Sequence, residues 1–158
     1  MIEIIPVGTI HTPFTKLEGM PIQPTGAVGV KGTIEVFEEF RAGLKDLEGF
    51  THIMLLYVFH RSKGFNLEVI PFMDNESRGV FATRAPKRPN PIGFSLVQLN
   101  TIEKGILNVQ DVDILDGTPL LDIKPYVPEF DSRQGVRTGW LEHAKNRVSR
   151  LKSDDRFK

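Results

Sequence analysis

Residues 52–60 read His-Ile-Met-Leu-Leu-Tyr-Val-Phe-His, a continuous apolar run closed at both ends by polar residues. A run of this length bounded in this way predicts a strand buried on both faces, and every other element has to be fitted around it. The segments that follow are also of strand length: 67–73, 79–83, 94–102, 106–113 and 120–126. Glu103-Lys104-Gly105 marks a tight turn between two of them. Upstream, 32–36 reads as a strand, and 2–10, interrupted by Pro6 and Gly8, suits an edge or bulged strand.

Helical spacing occurs in two places. Phe37, Phe40, Leu44 and Leu47 recur at helix period before Gly49, which predicts a short internal helix covering one end of a sheet. Trp140, Leu141, Ala144, Val148 and Leu151 form one stripe of a helix expected over 136–152. About seven short strands without βαβ alternation predict a mainly β fold, a single-sheet antiparallel or mixed β-barrel with one short internal helix and a C-terminal helix. At 158 residues the chain suits one core. The expected division is a barrel domain over 1–131 and a basic C-terminal helix and tail over 132–158.

Composition removes several function classes. With no Cys, neither a disulfide framework nor thiol redox chemistry is available, and a cytoplasmic location is the default. His52 and His60 on one strand stand roughly 26 Å apart at ~3.3 Å per residue, so no metal site is expected. No apolar run reaches the ~18–20 residues of a membrane span, and the N-terminus lacks a signal-peptide pattern. Charge balances at 20 basic and 20 acidic residues, so attraction for nucleic acid has to come from local clusters. Residues 61–88 carry six basic and three acidic side chains, and 137–158 carry seven and three.

Two stretches resist a purely structural description. Residues 12–32 hold Pro13, Pro21, Pro24, Gly19, Gly26, Gly29 and Gly32, a long loop of a kind that is often functional. Residues 79–93 run Gly-Val-Phe-Ala-Thr-Arg-Ala-Pro-Lys-Arg-Pro-Asn-Pro-Ile-Gly, where three prolines stiffen a loop carrying Arg84, Lys87 and Arg88. That loop reads either as a preorganised anion-facing surface or as a tight barrel corner with solvating charges. Asp113-Ile114-Leu115-Asp116-Gly117-Thr118-Pro119 by itself is a hairpin turn.

Taken together, Gly79-Val80-Phe81-Ala82-Thr83-Arg84, Arg88-Pro89-Asn90-Pro91-Ile92-Gly93 and the segment from Asp116 to Tyr126 resemble the signature of the TrmO/TsaA family. The resemblance begins at Val7-Gly8-Thr9-Ile10 and runs through Leu47-Glu48-Gly49-Phe50, His52 and Phe59-His60 to about Asp131. It implies an S-adenosylmethionine-dependent β-barrel methyltransferase, working as a homodimer on N6 of threonylcarbamoyladenosine beside the anticodon of a threonine tRNA. Carried over residue by residue, it implies cofactor contacts at Ile22, Gln23, Pro24, His60, Arg61, Arg84, Phe94, Val112, Asp113, Ile114 and Leu115. The family pattern Pro-Arg-Gln-Pro is Pro21-Ile22-Gln23-Pro24 here, which leaves a backbone contact in place of an Arg side chain. Lys87 and Arg88 are candidate contacts to RNA phosphates in the anticodon loop. Asn90, followed by Pro91, is the candidate catalytic residue by analogy with other N6-adenine methyltransferases. A cofactor-binding sensor without turnover and an RNA-binding accessory protein are the competing readings.

Overall fold

The computed structural model describes residues 1–21 and 26–143. Its strands are β1 (Gly8–His11), β2 (Lys31–Val36), β3 (His52–Val58), β4 (Glu68–Val69), β5 (Arg78–Gly79), β6 (Ile92–Glu103), β7 (Ile106–Gln110) and β8 (Thr118–Pro125). Six of them close into a barrel in the order β1-β2-β7-β6-β3-β8, with each pairing antiparallel. Closure leaves no long unpaired edge, the hazard that open sheets must manage.

Alternation sets what faces inward. On β3 the side chains of Ile53, Leu55 and Tyr57 are buried, whereas Met54, Leu56 and Val58 are only partly covered. The expectation of burial on both faces is thus corrected: a barrel has a single dry side, and the apolar residues between the inward ones lie on its outer surface. Ile10, Ile34, Val97, Leu107, Val109 and Leu120 complete the centre of the core. Lys104 and Gly105 (φ 51° and 80°) make the two-residue turn between β6 and β7, the backbone form that a right-twisted hairpin requires. β6 is long enough to pair with β3 along its first half and β7 along its second, with a register shift between Leu99 and Thr101.

Several expected elements are shorter or differently wound. The first strand covers Gly8–His11 only; Ile2, Ile4 and Ile5 are exposed, and Pro6 has no N–H to give a ladder. The single helix over 37–49 is two 3₁₀ segments, Glu38–Leu44 and Leu47–Gly49, divided at Asp46, whose φ of 72° breaks the winding. Phe40, Leu44 and Leu47 still pack against the barrel core, so the apolar stripe was correct and its pitch was not. Segments 67–73 and 79–83 contribute only the short β4–β5 ladder and a 3₁₀ turn at Val80–Ala82. They belong to the 59–91 excursion between β3 and β6, which has a small core of its own: Val69, Val80 and Ala85, with Phe72 packed on them. A four-residue helix, Pro128–Asp131, lies in the expected loop after β8. At the C-terminal end residues 136–138 are not helical and Gly139–His143 form a 3₁₀ turn, with Gly139 at φ 54°; the rest of the expected helix lies outside the described residues.

The long early loop is fastened to the segment before β8. Thr12 donates through its amide to Asp116 Oδ1 (3.0 Å) and through its hydroxyl to the Ile114 carbonyl (2.6 Å). Gly29 N–H donates to Asp111 Oδ1 (2.7 Å). Among the described residues no helix is long and apolar enough to cross a membrane.

Candidate functional site

β3 ends, and β6 and β8 begin, at the same end of the barrel, because all three pairings are antiparallel. The 59–91 excursion leaves from that end and the early loop is tied down beside it, so a cavity of about 780 Å³ forms between them. That volume lies within the ~300–1,000 Å³ of small-molecule sites. Its wall is mostly apolar, with a few polar groups converging on it.

The structure brings together His60, Arg61, Arg84, Phe94, Asp113, Ile114 and Leu115 on this wall, although they come from four separate stretches of chain. Val112 is fully buried in the barrel core and does not line the cavity. Ile22, Gln23 and Pro24 lie outside the described residues, while Met20 and Pro21, just before them, do line the cavity. Lys87 and Asn90 are not part of the lining; Asn90 is exposed, and its carbonyl accepts from Ile92 N–H at 2.7 Å. Arg88 does reach the wall, and its guanidinium also donates to backbone carbonyls of its own loop.

Four further residues complete the site. Ser95, buried on β6, donates to Asp113 Oδ1 at 2.6 Å and lies 2.9 Å from the Tyr57 hydroxyl. An ionised carboxylate takes the one proton that Ser95 has, so the Tyr57 O–H must donate to Ser95. Burial pushes the Asp113 carboxyl up to about 6, against the lowering pull of Ser95 and the Arg84 charge. Burial, reinforced by the Asp113 charge, also raises the Tyr57 phenol, which stays protonated. Thr118 gives its hydroxyl proton to the Leu115 carbonyl (2.6 Å) and lies 3.4 Å from His60 Nδ1. Burial and the neighbouring Arg61 hold His60 below the usual imidazole range, hence neutral near pH 7. Trp140 donates through Nε1 to the Ala82 carbonyl at 2.8 Å and lines the cavity from the C-terminal side.

Sequence reasoning missed Tyr57, Ser95, Thr118 and Trp140 as site residues. Thr118 sits inside the Asp-Gly-Thr-Pro motif and was within reach; Tyr57 was hidden in the apolar run that predicts β3. Trp140 was assigned to a helical stripe, and only the fold brings it to Ala82.

A positive and a negative group thus face one apolar cavity. The Arg84 guanidinium carbon lies 5.8 Å from the Phe94 ring centre, giving a cation beside an aromatic wall, and Asp113 supplies an anion. This donor set fits a ligand that has a carboxylate, a flat ring and a positive charge. No cluster of three or more potential metal-binding His, Asp or Glu side chains occurs among the described residues.

Comparison with known proteins points the same way. A family model for the tRNA-methyltransferase O N-terminal domain matches residues 9–132. A probable S-adenosyl-L-methionine-binding protein of Pyrococcus abyssi is 57% identical over 96% of this chain and 83% of its own length. The human tRNA (adenine(37)-N6)-methyltransferase is 36% identical over 83% of this chain, which spans only 31% of that longer protein. The crystal structure of TrmO from Pseudomonas aeruginosa superposes with a TM-score of 0.75 at 39% identity, covering 89% of this chain and 62% of that one. The family match over most of the barrel, with relatives of this identity, makes the chain a member of the tRNA-methyltransferase O family.

Proposed function

We propose that the protein is an S-adenosylmethionine-dependent tRNA methyltransferase acting on N6 of the adenine beside the anticodon, with N6-threonylcarbamoyladenosine of a threonine tRNA as its substrate nucleoside. The observation that carries this reading is the presence of both Arg84 and Asp113 on the wall of an apolar, aromatic cavity of about 780 Å³ in a chain of this family. When bound, S-adenosylmethionine supplies a methyl group already activated by a sulfonium centre. Arg84 is then the partner for its carboxylate, Phe94 the apolar wall for its adenine, and Asp113 the negative charge that balances its cation. The residues before β8 offer strand-end backbone groups to the ring edge. Because the methyl donor is already activated, the main work of the protein is to orient donor and acceptor and to keep water out. No nucleophilic side chain is required, and Asn90, outside the cavity lining, has no part in this reading.

For the tRNA, Lys87 and the positive loop it belongs to border the cavity and are suited to phosphates of the single-stranded anticodon loop. A homodimer belongs to the same reading: Phe81, Ile92 and Phe94 line the cavity yet remain exposed, and a second copy would cover them. A cytoplasmic location belongs to the same reading. The relatives named as tRNA methyltransferases are about three times as long, whereas the Pyrococcus relative is named only for cofactor binding. Calorimetric titration with S-adenosylmethionine of protein stripped of bound ligand tests the cofactor half. Saturable micromolar binding at about one ligand per subunit supports it, and no binding by the folded protein overturns it.

A further inference from the structure

Arg88 does something in its loop that its charge alone does not suggest. Its Nη1 donates to the carbonyls of Val80 (3.1 Å), Thr83 (2.8 Å) and Ala85 (3.2 Å). Two of these, Thr83 and Ala85, are the residues on either side of Arg84. The same turn is tightened from within by Thr83, whose amide and hydroxyl both donate to the Val80 carbonyl and whose hydroxyl accepts from Ala85 N–H at 3.2 Å. Its apolar side is pinned by Val80 and Ala85, both buried in the small core of the excursion. The guanidinium carbon of Arg88 lies 6.0 Å from the Phe81 ring centre.

Charge-assisted donation to three carbonyls gathers their dipoles on one side of the turn. Arg88 holds the peptide plane before residue 84 through the Thr83 carbonyl, the Thr83 hydroxyl holds the plane after it through Ala85 N–H, and Arg88 closes the turn again at the Ala85 carbonyl; the Arg84 side chain so placed lines the cavity beside Phe94. A cation whose donors serve its own backbone is also less available to a phosphate than its place in a basic cluster suggests.

We propose that Arg88 is a positioning residue for the cofactor cavity rather than an RNA contact: by holding the carbonyls of Val80, Thr83 and Ala85 it fixes the turn that presents Arg84. This rests on the reading of Arg84 as a cofactor ligand. The turn is also what Trp140 grips through Ala82, so the single tryptophan of the chain reports on it without any ligand.

The test combines a mutant cycle with that reporter. S-adenosylmethionine affinity is measured for the wild type, Arg84→Ala, Arg88→Ala and the double variant, and Trp140 emission is recorded for each without ligand. The expected result is at least a tenfold loss of affinity in Arg88→Ala and no further loss when it is added to Arg84→Ala. Arg88→Lys, which keeps a cation with three donors, should recover most of the affinity. Trp140 emission should shift to the red in Arg88→Ala and stay in place in Arg84→Ala. Arg88→Met keeps the side-chain stem and serves if the alanine variant does not fold. Unchanged affinity and emission with weakened tRNA binding would overturn the proposal, as would losses that simply add in the cycle. If even the wild type fails to bind S-adenosylmethionine, the cofactor reading falls; the emission comparison still decides whether Arg88 holds the turn, a shift supporting it and no shift overturning it.

Discussion

The hydroxyl of Ser95, buried on β6, points at the Asp113 carboxylate from 2.6 Å, and this contact joins the barrel core to the cavity wall. Behind Ser95 stands Tyr57 on the neighbouring strand, 2.9 Å away. The three groups form a directed chain of donors that ends on a carboxylate partly withdrawn from water.

The first prediction concerns pH. The Asp113 carboxyl is raised in the folded state to about 6 from an ordinary value of 3.8. A group raised in this way adds stability that is complete below pH 4 and is lost as pH rises through 6. The difference amounts to about 3 kcal/mol at most. Asp113→Asn should therefore flatten the dependence of unfolding free energy on pH between 4 and 7, as read from denaturant titrations at several pH values. An unchanged slope would show that Asp113 titrates as it does in the unfolded chain.

Ser95→Ala removes the donor that favours the charged carboxylate. The midpoint of the same pH dependence should move upward, and stability at pH 7 should fall by roughly 1–3 kcal/mol, the cost of leaving a buried polar partner unmatched. Tyr57→Phe, one step further back, should move the midpoint less.

Gly93 lies opposite Tyr57 in the β3–β6 ladder, and a Cβ there would overlap the Tyr57 ring and the tip of Phe59. Gly93→Ala should cost about 1–3 kcal/mol as the rings are forced aside. Because Tyr57 and Phe59 also line the cavity, cofactor affinity should drop with stability. Thermal unfolding with and without S-adenosylmethionine measures both.

Arg84→Ala should weaken S-adenosylmethionine binding by about 1.5–3 kcal/mol, the usual worth of a hydrogen bond to a charged group. That corresponds to roughly 10- to 150-fold in calorimetry. Lys87→Ala, at a position outside the cavity lining, should leave cofactor affinity unchanged and weaken tRNA binding, with a shallower dependence on salt.

The barrel was legible because its signals are local. The apolar run at 52–60 and the Glu103-Lys104-Gly105 turn each announce a strand or hairpin without reference to the rest of the chain. The helix over 37–49 was misread because the spacing of Phe40, Leu44 and Leu47 reports which face is apolar, and the left-handed backbone at Asp46 that divides the segment leaves no mark on that spacing. The site was legible only in part. Arg84, Asp113 and Phe94 lie in or next to long motifs, so the family resemblance reached them. Ser95 and Tyr57 act through cross-strand register, and Trp140 through the return of the chain to Ala82 after β8. Arg88 shows the opposite limit: sequence gives its charge, and only coordinates show that the charge serves three carbonyls beside it.

The central claim is methyl transfer to a tRNA adenine, and the most direct measurement is mass spectrometry of nucleosides digested from threonine tRNA after incubation with the protein and isotope-labelled S-adenosylmethionine. The account predicts one labelled methyl on the threonylcarbamoyladenosine beside the anticodon, lost when that adenine is replaced or when Arg84 is changed to Ala. Tight cofactor binding with no labelled nucleoside in any tRNA would contradict it and leave a cofactor-binding protein without transfer activity.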